Sequence, residues 1–455
     1  MFNKKTQINV PGKFVYIKTN KVTLRCRDAG PRDGPLAILV HGWPESWYSW
    51  RHQIPTLADV GYRVIIPDVR GYGGSDKPDR IEDYSMANLV NDIVEIMDFF
   101  GTEKSVLIGH DWGAPIAWNT AALYPSRVLG VAGLSVPYYP RGKVSSIQLW
   151  KSIYKDRFFY QLYFQQPGKA EKELDKDIGQ SLRKIYYSGS GDAPKDIFST
   201  TRTDKSDMLS GLPDPKPFPA WLTTEDINYY IGEYKERGFS STLNRYRAQE
   251  IDWRELTQLA GAIISVPSCF IAGERDSVLR FVPNVDLVAK MKPWMHDLRI
   301  CELIPNVGHW IQQESPDSVN KLLKEFTSIK NIKPEFKFSD DTRFDFLCDK
   351  NLIEVKNVTL SRINGIAEFP DAVTSRGTKH LKKLSESIKQ GFKPYVLFLI
   401  QIQNISKFRI AKDIDSDYYN NFIKAKKKGL KFIAYRCKLN SKEIVIEKKI
   451  KIEHD

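Results

Sequence analysis

Ser105-Val106-Leu107-Ile108-Gly109-His110-Asp111-Trp112-Gly113-Ala114-Pro115-Ile116-Ala117-Trp118 is the stretch on which the reading of the fold turns. Its opening apolar run predicts a short buried strand, and the residues after Gly113 predict the start of a buried helix. Between the two lies a G-x-D-x-G turn. Glycines suit it because side chains at either position would collide with the neighbouring strand and helix. A strand, a tight turn and a helix are the setting of a nucleophile elbow, whose apex is ordinarily serine. Here the apex is Asp111.

That exchange changes the chemistry. A serine that attacked saturated carbon would end as an ether, which the site could not hydrolyse. A carboxylate ends as an ester, and water can attack its carbonyl. An aspartate at the apex therefore implies substitution at saturated carbon, either epoxide opening or carbon–halogen cleavage.

Working outward, Phe14 to Arg27 alternates like a strand and Ala37 to Val40 is continuously apolar. The second run leads into His41-Gly42-Trp43-Pro44, where the amides of Trp43 and Trp112 could together face a developing oxyanion. His41 reads as a structural histidine bonded to backbone. Val64-Ile65-Ile66 is another buried strand, and the glycine-rich Asp68 to Ser75 loop after it lacks the ending of a phosphate-binding loop. Ser85 stands where it would cap a helix with Leu89, Ile93, Ile96, Met97 and Phe100 on one face. Alternating strands and helices predict the α/β class, with a mostly parallel sheet covered on both faces.

The strand rhythm is lost over 138–250, which reads as a helical insertion between core segments 1–137 and 251–329. It returns at Val266 to Ala272, followed by Asp276, and at Leu303-Ile304, followed by His309. The order Asp111, Asp276, His309 is that of nucleophile, acid and histidine in one fold. Asp276 would fix the imidazole tautomer, and His309 would take a proton from water. His52, His110 and His296 follow no strand in this way.

With these motifs in place, residues 5–328 resemble the soluble epoxide hydrolases of the α/β-hydrolase superfamily. Tyr160-Gln161-Leu162-Tyr163-Phe164-Gln165 and Asn244-Arg245-Tyr246-Arg247 match it within the insertion. The resemblance implies that the insertion is a lid and that Tyr160 and Tyr246 hold the epoxide oxygen. It also implies a vicinal diol formed through a covalent aspartyl ester, with water as co-substrate and no cofactor. Two phenol donors suit a developing alkoxide. A haloalkane dehalogenase shares the aspartate and the tryptophan after it, but usually has an asparagine where Trp43 stands and lacks the tyrosine pair. A non-catalytic binding module would need the triad filled by accident.

Composition bounds the rest. A length of 455 residues predicts two or three domains, and five scattered cysteines predict a reducing, cytoplasmic setting. Met1 to Lys13 has lysines but no apolar signal region, and no apolar run is long enough to span a membrane. The net charge of +13 is uneven: residues 331–455 hold 26 Lys and Arg against 16 Asp and Glu. Such a basic module either faces nucleic acid or is simply a lysine-rich solvated surface.

After a linker over Thr327 to Lys333, residues 330–455 form a second domain by this reading. Asp345 lies on one expected strand, Phe344 to Leu347, and Glu354-Val355-Lys356 on the next, Leu352 to Val358. A hairpin between them would bring both carboxylates to one end. Asp with Glu-x-Lys is a nuclease arrangement, in which Asp345 and Glu354 would hold Mg²⁺ and Lys356 would stabilise hydroxide or phosphate charge. The longer strings Ile353 to Leu360 and Phe369 to Leu381 resemble the sugar fermentation stimulation protein family, over residues 333–455. The resemblance implies the C-terminal, PD-(D/E)xK nuclease-like α/β half of such a protein. It is truncated, lacking the nucleic-acid-binding OB-like part and the helix before the Asp345 strand. Nothing chemical links the two halves; the join is either a genuine fusion or two unrelated reading frames, and a bifunctional chain is the alternative reading.

Overall fold

The computed structural model describes residues 10–194, 197, 202–328, 332–348, 350–439 and 444–453. The expected linker and the lysine-bearing N-terminal stretch lie partly outside these residues. By its contacts the chain divides into two compact units, Met1–Ser328 and Ile329–Asp455.

The alternating stretch from Phe14 to Arg27 is a hairpin rather than one strand. Strands β1 (Lys13–Lys18) and β2 (Thr23–Ala29) pair antiparallel. Thr19 turns the chain, with both its amide and its hydroxyl donating to Val22 O at 2.8 Å. Six strands follow: β3 (Leu36–Val40), β4 (Arg63–Pro67), β5 (Ser105–His110), β6 (Val128–Leu134), β7 (Ile264–Gly273) and β8 (Met295–Ile304). The sheet order is β1-β2-β4-β3-β5-β6-β7-β8. Its first two pairings are antiparallel and the remaining five parallel.

Every residue of β3 and β5 is buried, because both faces of the sheet are covered. Successive side chains on β3 enter opposite cores: Ala37 and Leu39 one, Ile38 and Val40 the other. The helix Met86–Phe99 starts after Ser85 as expected, but the Ser85 side chain caps nothing. The Met86 amide donates instead to Asp252 Oδ1 at 2.6 Å, so the cap is a tertiary contact.

Between β6 and β7, residues 138–250 hold helices and, among the described residues, only one isolated bridge, Arg157 to Thr203. Phe164, Tyr186, Tyr230, Phe239 and Tyr246 are its large buried side chains. Among the described residues no helix is long and apolar enough to cross a membrane.

The second unit is a nine-stranded sheet carrying two long helices. Its strands are β9 (Ile332–Ser339), β10 (Thr342–Cys348), β11 (Asn351–Val358), β12 (Leu360–Ile363), β13 (Ile366–Phe369), β14 (Lys393–Ile400), β15 (Lys407–Ile410), β16 (Lys431–Leu439) and β17 (Ile444–Ile452). Val396, Phe398 and Ile400 of β14 form a buried core with Leu381 and Leu384 of helix Ser375–Ser387 and with Tyr418 and Phe422 of helix Ser416–Lys427. The alternate residues Tyr395, Leu397 and Leu399 are half-buried, so the opposite face is less well covered.

Glycine at the elbow is a steric demand. A Cβ at Gly113 would lie 1.9 Å from Val40 O and 2.9 Å from His41 O. Both are backbone atoms that cannot swing aside. Gly113→Ala should therefore cost about 4 kcal/mol or more in denaturant unfolding. Gly232→Ala is the control. Position 232 is helical with nothing within 4 Å of a Cβ, and alanine there should be neutral or stabilise by up to about 1 kcal/mol.

Candidate active site

The turn between β5 and helix Gly113–Leu123 holds Asp111 at φ 50°, a left-handed conformation uncommon for a residue with a side chain. Asp111 Oδ1 accepts a hydrogen bond from the Trp43 amide at 2.8 Å, while Oδ2 lies 3.2 Å from His309 Nε2. Trp112 directly follows Asp111, at the N-cap of the helix. His309 Nδ1 is 2.9 Å from Asp276 Oδ2, whose other oxygen accepts from the Val278 amide at 2.9 Å. The three side chains thus form one hydrogen-bonded line, and all are buried.

The charges follow from that geometry. Burial disfavours the His309 imidazolium, but the carboxylates of Asp276 and Asp111 outweigh it and raise its pKa well above the ordinary value. Burial likewise works against the Asp111 carboxylate, but His309, His110 and the Trp43 amide hold its pKa below the usual one. His309 thus lies between two carboxyl groups that favour its protonated form.

Tyr160 and Tyr246 come from separate helices of the insertion and face each other with ring centroids 5.8 Å apart. Both line the cavity that holds Asp111 and His309, of about 610 Å³. Burial pushes both phenols upward, helped by the Asp111 charge at Tyr160 and by Tyr160 and then Asp111 at Tyr246, so each remains a protonated donor near neutrality. The rest of the wall is largely apolar and aromatic, including Phe158, Phe159, Met208, Leu212 and Phe281.

Around this centre lies a polar shell that the sequence pattern did not single out. His110 Nδ1 meets Glu45 Oε2 at 2.8 Å, and His110 Nε2 donates to His309 O at 2.7 Å. Glu45 also accepts from the Gly42 amide and from the side-chain amides of Gln312 and Gln313. His41 is bonded to backbone at both nitrogens: the Val69 amide donates to Nε2, and Nδ1 donates to Gly42 O. No period marks such residues. The only signal is that Glu45 directly follows one motif already noticed and His110 lies within another.

In the second unit, Phe346 pairs with Ile353 and Leu347 with Leu352, so Asp345 and Glu354 are the next positions along the hairpin. Asp345 Oδ2 accepts from the Val355 amide at 2.6 Å. Glu354 Oε1 is taken by Lys356 Nζ at 2.7 Å and His380 Nδ1 at 2.5 Å. Among the described residues no group of three or more His, Cys, Asp or Glu is placed to hold a metal ion. Asp345 and Glu354 line the same pocket, and Lys356 spends its ammonium on Glu354.

Comparison with known proteins agrees with this division. Residues 35–316 match the family model described as alpha/beta hydrolase fold. Residues 311–443 match the sugar fermentation stimulation protein RE domain, a match that starts earlier than 333 and takes in the helix Pro316–Ser328. Epoxide hydrolase A of Mycobacterium tuberculosis is 44% identical over 315 residues, covering 68% of this chain and 95% of that protein. Epoxide hydrolase 3 of Siraitia grosvenorii is 36% identical, covering 69% and 98% respectively. The crystal structure of epoxide hydrolase A from Mycobacterium thermoresistibile superposes with a TM-score of 0.65 at 42% identity, covering 69% of this chain and 97% of that one. A chain whose elbow carries aspartate, and which aligns with these enzymes over nearly their whole length, belongs to the epoxide hydrolases of the α/β-hydrolase fold.

Proposed function

We propose that this epoxide hydrolase makes its vicinal diol through an ester on Asp111. The observation that carries the reading is the division of labour between the two Asp111 oxygens. Oδ1 is held by the Trp43 amide, Oδ2 meets His309, and Asp111 lines the cavity. Oδ2 attacks an epoxide carbon in line with the breaking C–O bond. The departing oxygen takes a proton from Tyr160 or Tyr246, general-acid help worth about 10²- to 10⁴-fold. His309, backed by Asp276, then deprotonates a water that attacks Cγ. Negative charge develops on Oδ1, where the amides of Trp43 and Trp112 form the oxyanion hole, each worth about 3 kcal/mol. Collapse breaks the Cγ–Oδ2 bond, and the departing alkoxide takes the proton that His309 removed from water, releasing the diol with the original Oδ2.

Two features support epoxide over halide. The Trp43 indole N–H, a group that could hold halide, is committed to Thr242 Oγ1 at 3.2 Å. The paired phenols suit an oxygen leaving group. Residues 138–250 act as the lid, since they supply both phenols and much of the cavity wall, while 1–137 and 251–329 supply the triad. Residues 330–455 take no part in this reaction. Their basic surface favours weak, salt-sensitive contact with nucleic acid. Five scattered cysteines, four of them buried, fit a cytoplasmic setting.

In a single turnover in ¹⁸O-labelled water, the first diol released should carry unlabelled oxygen from Asp111; fully labelled diol would mean direct attack by water. Tyr160→Phe combined with Tyr246→Phe should slow ester formation by about 10²-fold or more in rapid-mixing experiments. Removal of residues 330–455 should leave kcat/KM on a given epoxide within about twofold, because the triad and both phenols precede them.

A further inference from the structure

Behind His309 sits a carboxylate that the mechanism does not use. Glu314 Oε2 accepts from the amides of Gly308 at 2.9 Å and Gly191 at 2.7 Å, and Oε1 accepts from the amide of Trp310 at 2.9 Å. Two of these donors flank His309 in the chain. The third lies just past the end of the insertion helix Ile178–Gly189. The His309 amide itself donates to Gly189 O at 2.7 Å, so the base is tied to the same helix end twice.

The contact is backbone against backbone. A Cβ on Gly308 would lie 2.3 Å from the Ser190 carbonyl carbon, and one on Gly191 would lie 2.0 Å from Asn306 O. Arg275 adds donors to the carbonyls of Gly191 and Ala193 from the far side.

We infer that Glu314 is a positioning residue: it clips the His309 loop to the end of the insertion helix and so sets the imidazole for ester hydrolysis, but not for epoxide opening. The inference rests on the reading of His309 as the base. A carboxylate is required because three N–H groups converge, whereas glutamine would turn its own NH₂ toward one of them. The position is costly: burial pushes the Glu314 carboxyl up to about 7, against the three amides that favour its charge. An apolar residue could fill the space without that cost, so packing alone does not account for it. Ester formation depends on Asp111, the Trp43 amide and the two phenols, none of which is bonded to Glu314. Hydrolysis depends on where His309 Nε2 points, and an error of about 1 Å there can cost about 10²-fold.

The test follows both half-reactions of the full chain with styrene oxide, using mass spectrometry of the Asp111 adduct after rapid mixing. Glu314→Gln should form the ester within about twofold of the parent rate and hydrolyse it about ten- to a hundredfold more slowly, so the adduct accumulates. Glu314→Asp keeps the charge but is one methylene short, and should fall between the two; it also serves if the glutamine variant does not fold. His309→Gln is the control for the underlying reading and should stall at the ester. A stalled control with hydrolysis in both Glu314 variants within twofold of the parent overturns the clip alone, as does an equal loss in both half-reactions. A control that hydrolyses its ester normally overturns the base assignment and the clip with it.

Discussion

The structure of the first unit depends on one backbone constraint: Asp111 must sit at positive φ on a turn with no room for side chains on either side. A Cβ on Gly109 would meet Gly113 O at 2.0 Å, and a Cβ on Gly113 would meet Val40 O. Strand β5, the helix after it and the end of β3 are therefore in direct backbone contact. That closeness brings the loop after β3 to the nucleophile, which is why the Trp43 amide reaches Asp111 Oδ1. The same tightness recurs at the base, where Gly191 and Gly308 let the insertion touch the His309 loop. Strain of about 1 to 3 kcal/mol at the apex persists because the surrounding sheet over-determines it.

How much of this was legible in the sequence depends on the range of the interaction. The elbow, the apolar strands and the order Asp111, Asp276, His309 are local patterns that punctuate one sheet, and they could be read directly. The hairpin turn at Thr19 was missed because β1 and β2 continue one alternation through it. Ser85 was legible as a cap position, but the side chain that caps, Asp252, arrives from a distant helix. Tyr160 and Tyr246 were chosen by resemblance; nothing local separates them from the other tyrosines, and only the folded insertion brings their rings together. Glu45 and Glu314 were overlooked, and His110 was weighed only as a rival base, because a buried polar network has no period. In the second unit, spacing alone indicated the hairpin of Asp345 and Glu354. It could not reveal that His380, on a helix, would bond to Glu354.

The two carboxylates around His309 have a consequence for the order of events in the proposed mechanism. While Asp111 is ionised, His309 lies between two anions and keeps its proton, so it cannot yet act as a base. Forming the ester consumes the Asp111 charge. Removing that charge from beside the ring takes away one of the two attractions that favour the imidazolium. Burial, which opposes the charged ring, then counts for more, and the proton becomes available to replace the one the phenols gave to the substrate oxygen. Asp276 remains and holds the neutral tautomer with Nε2 free toward water. In the proposed mechanism the first half-reaction itself thus frees His309 to act as the base. Such a switch requires His309 to stay in place after its bond to Asp111 is lost, and the backbone contacts around it meet that requirement without help from the nucleophile.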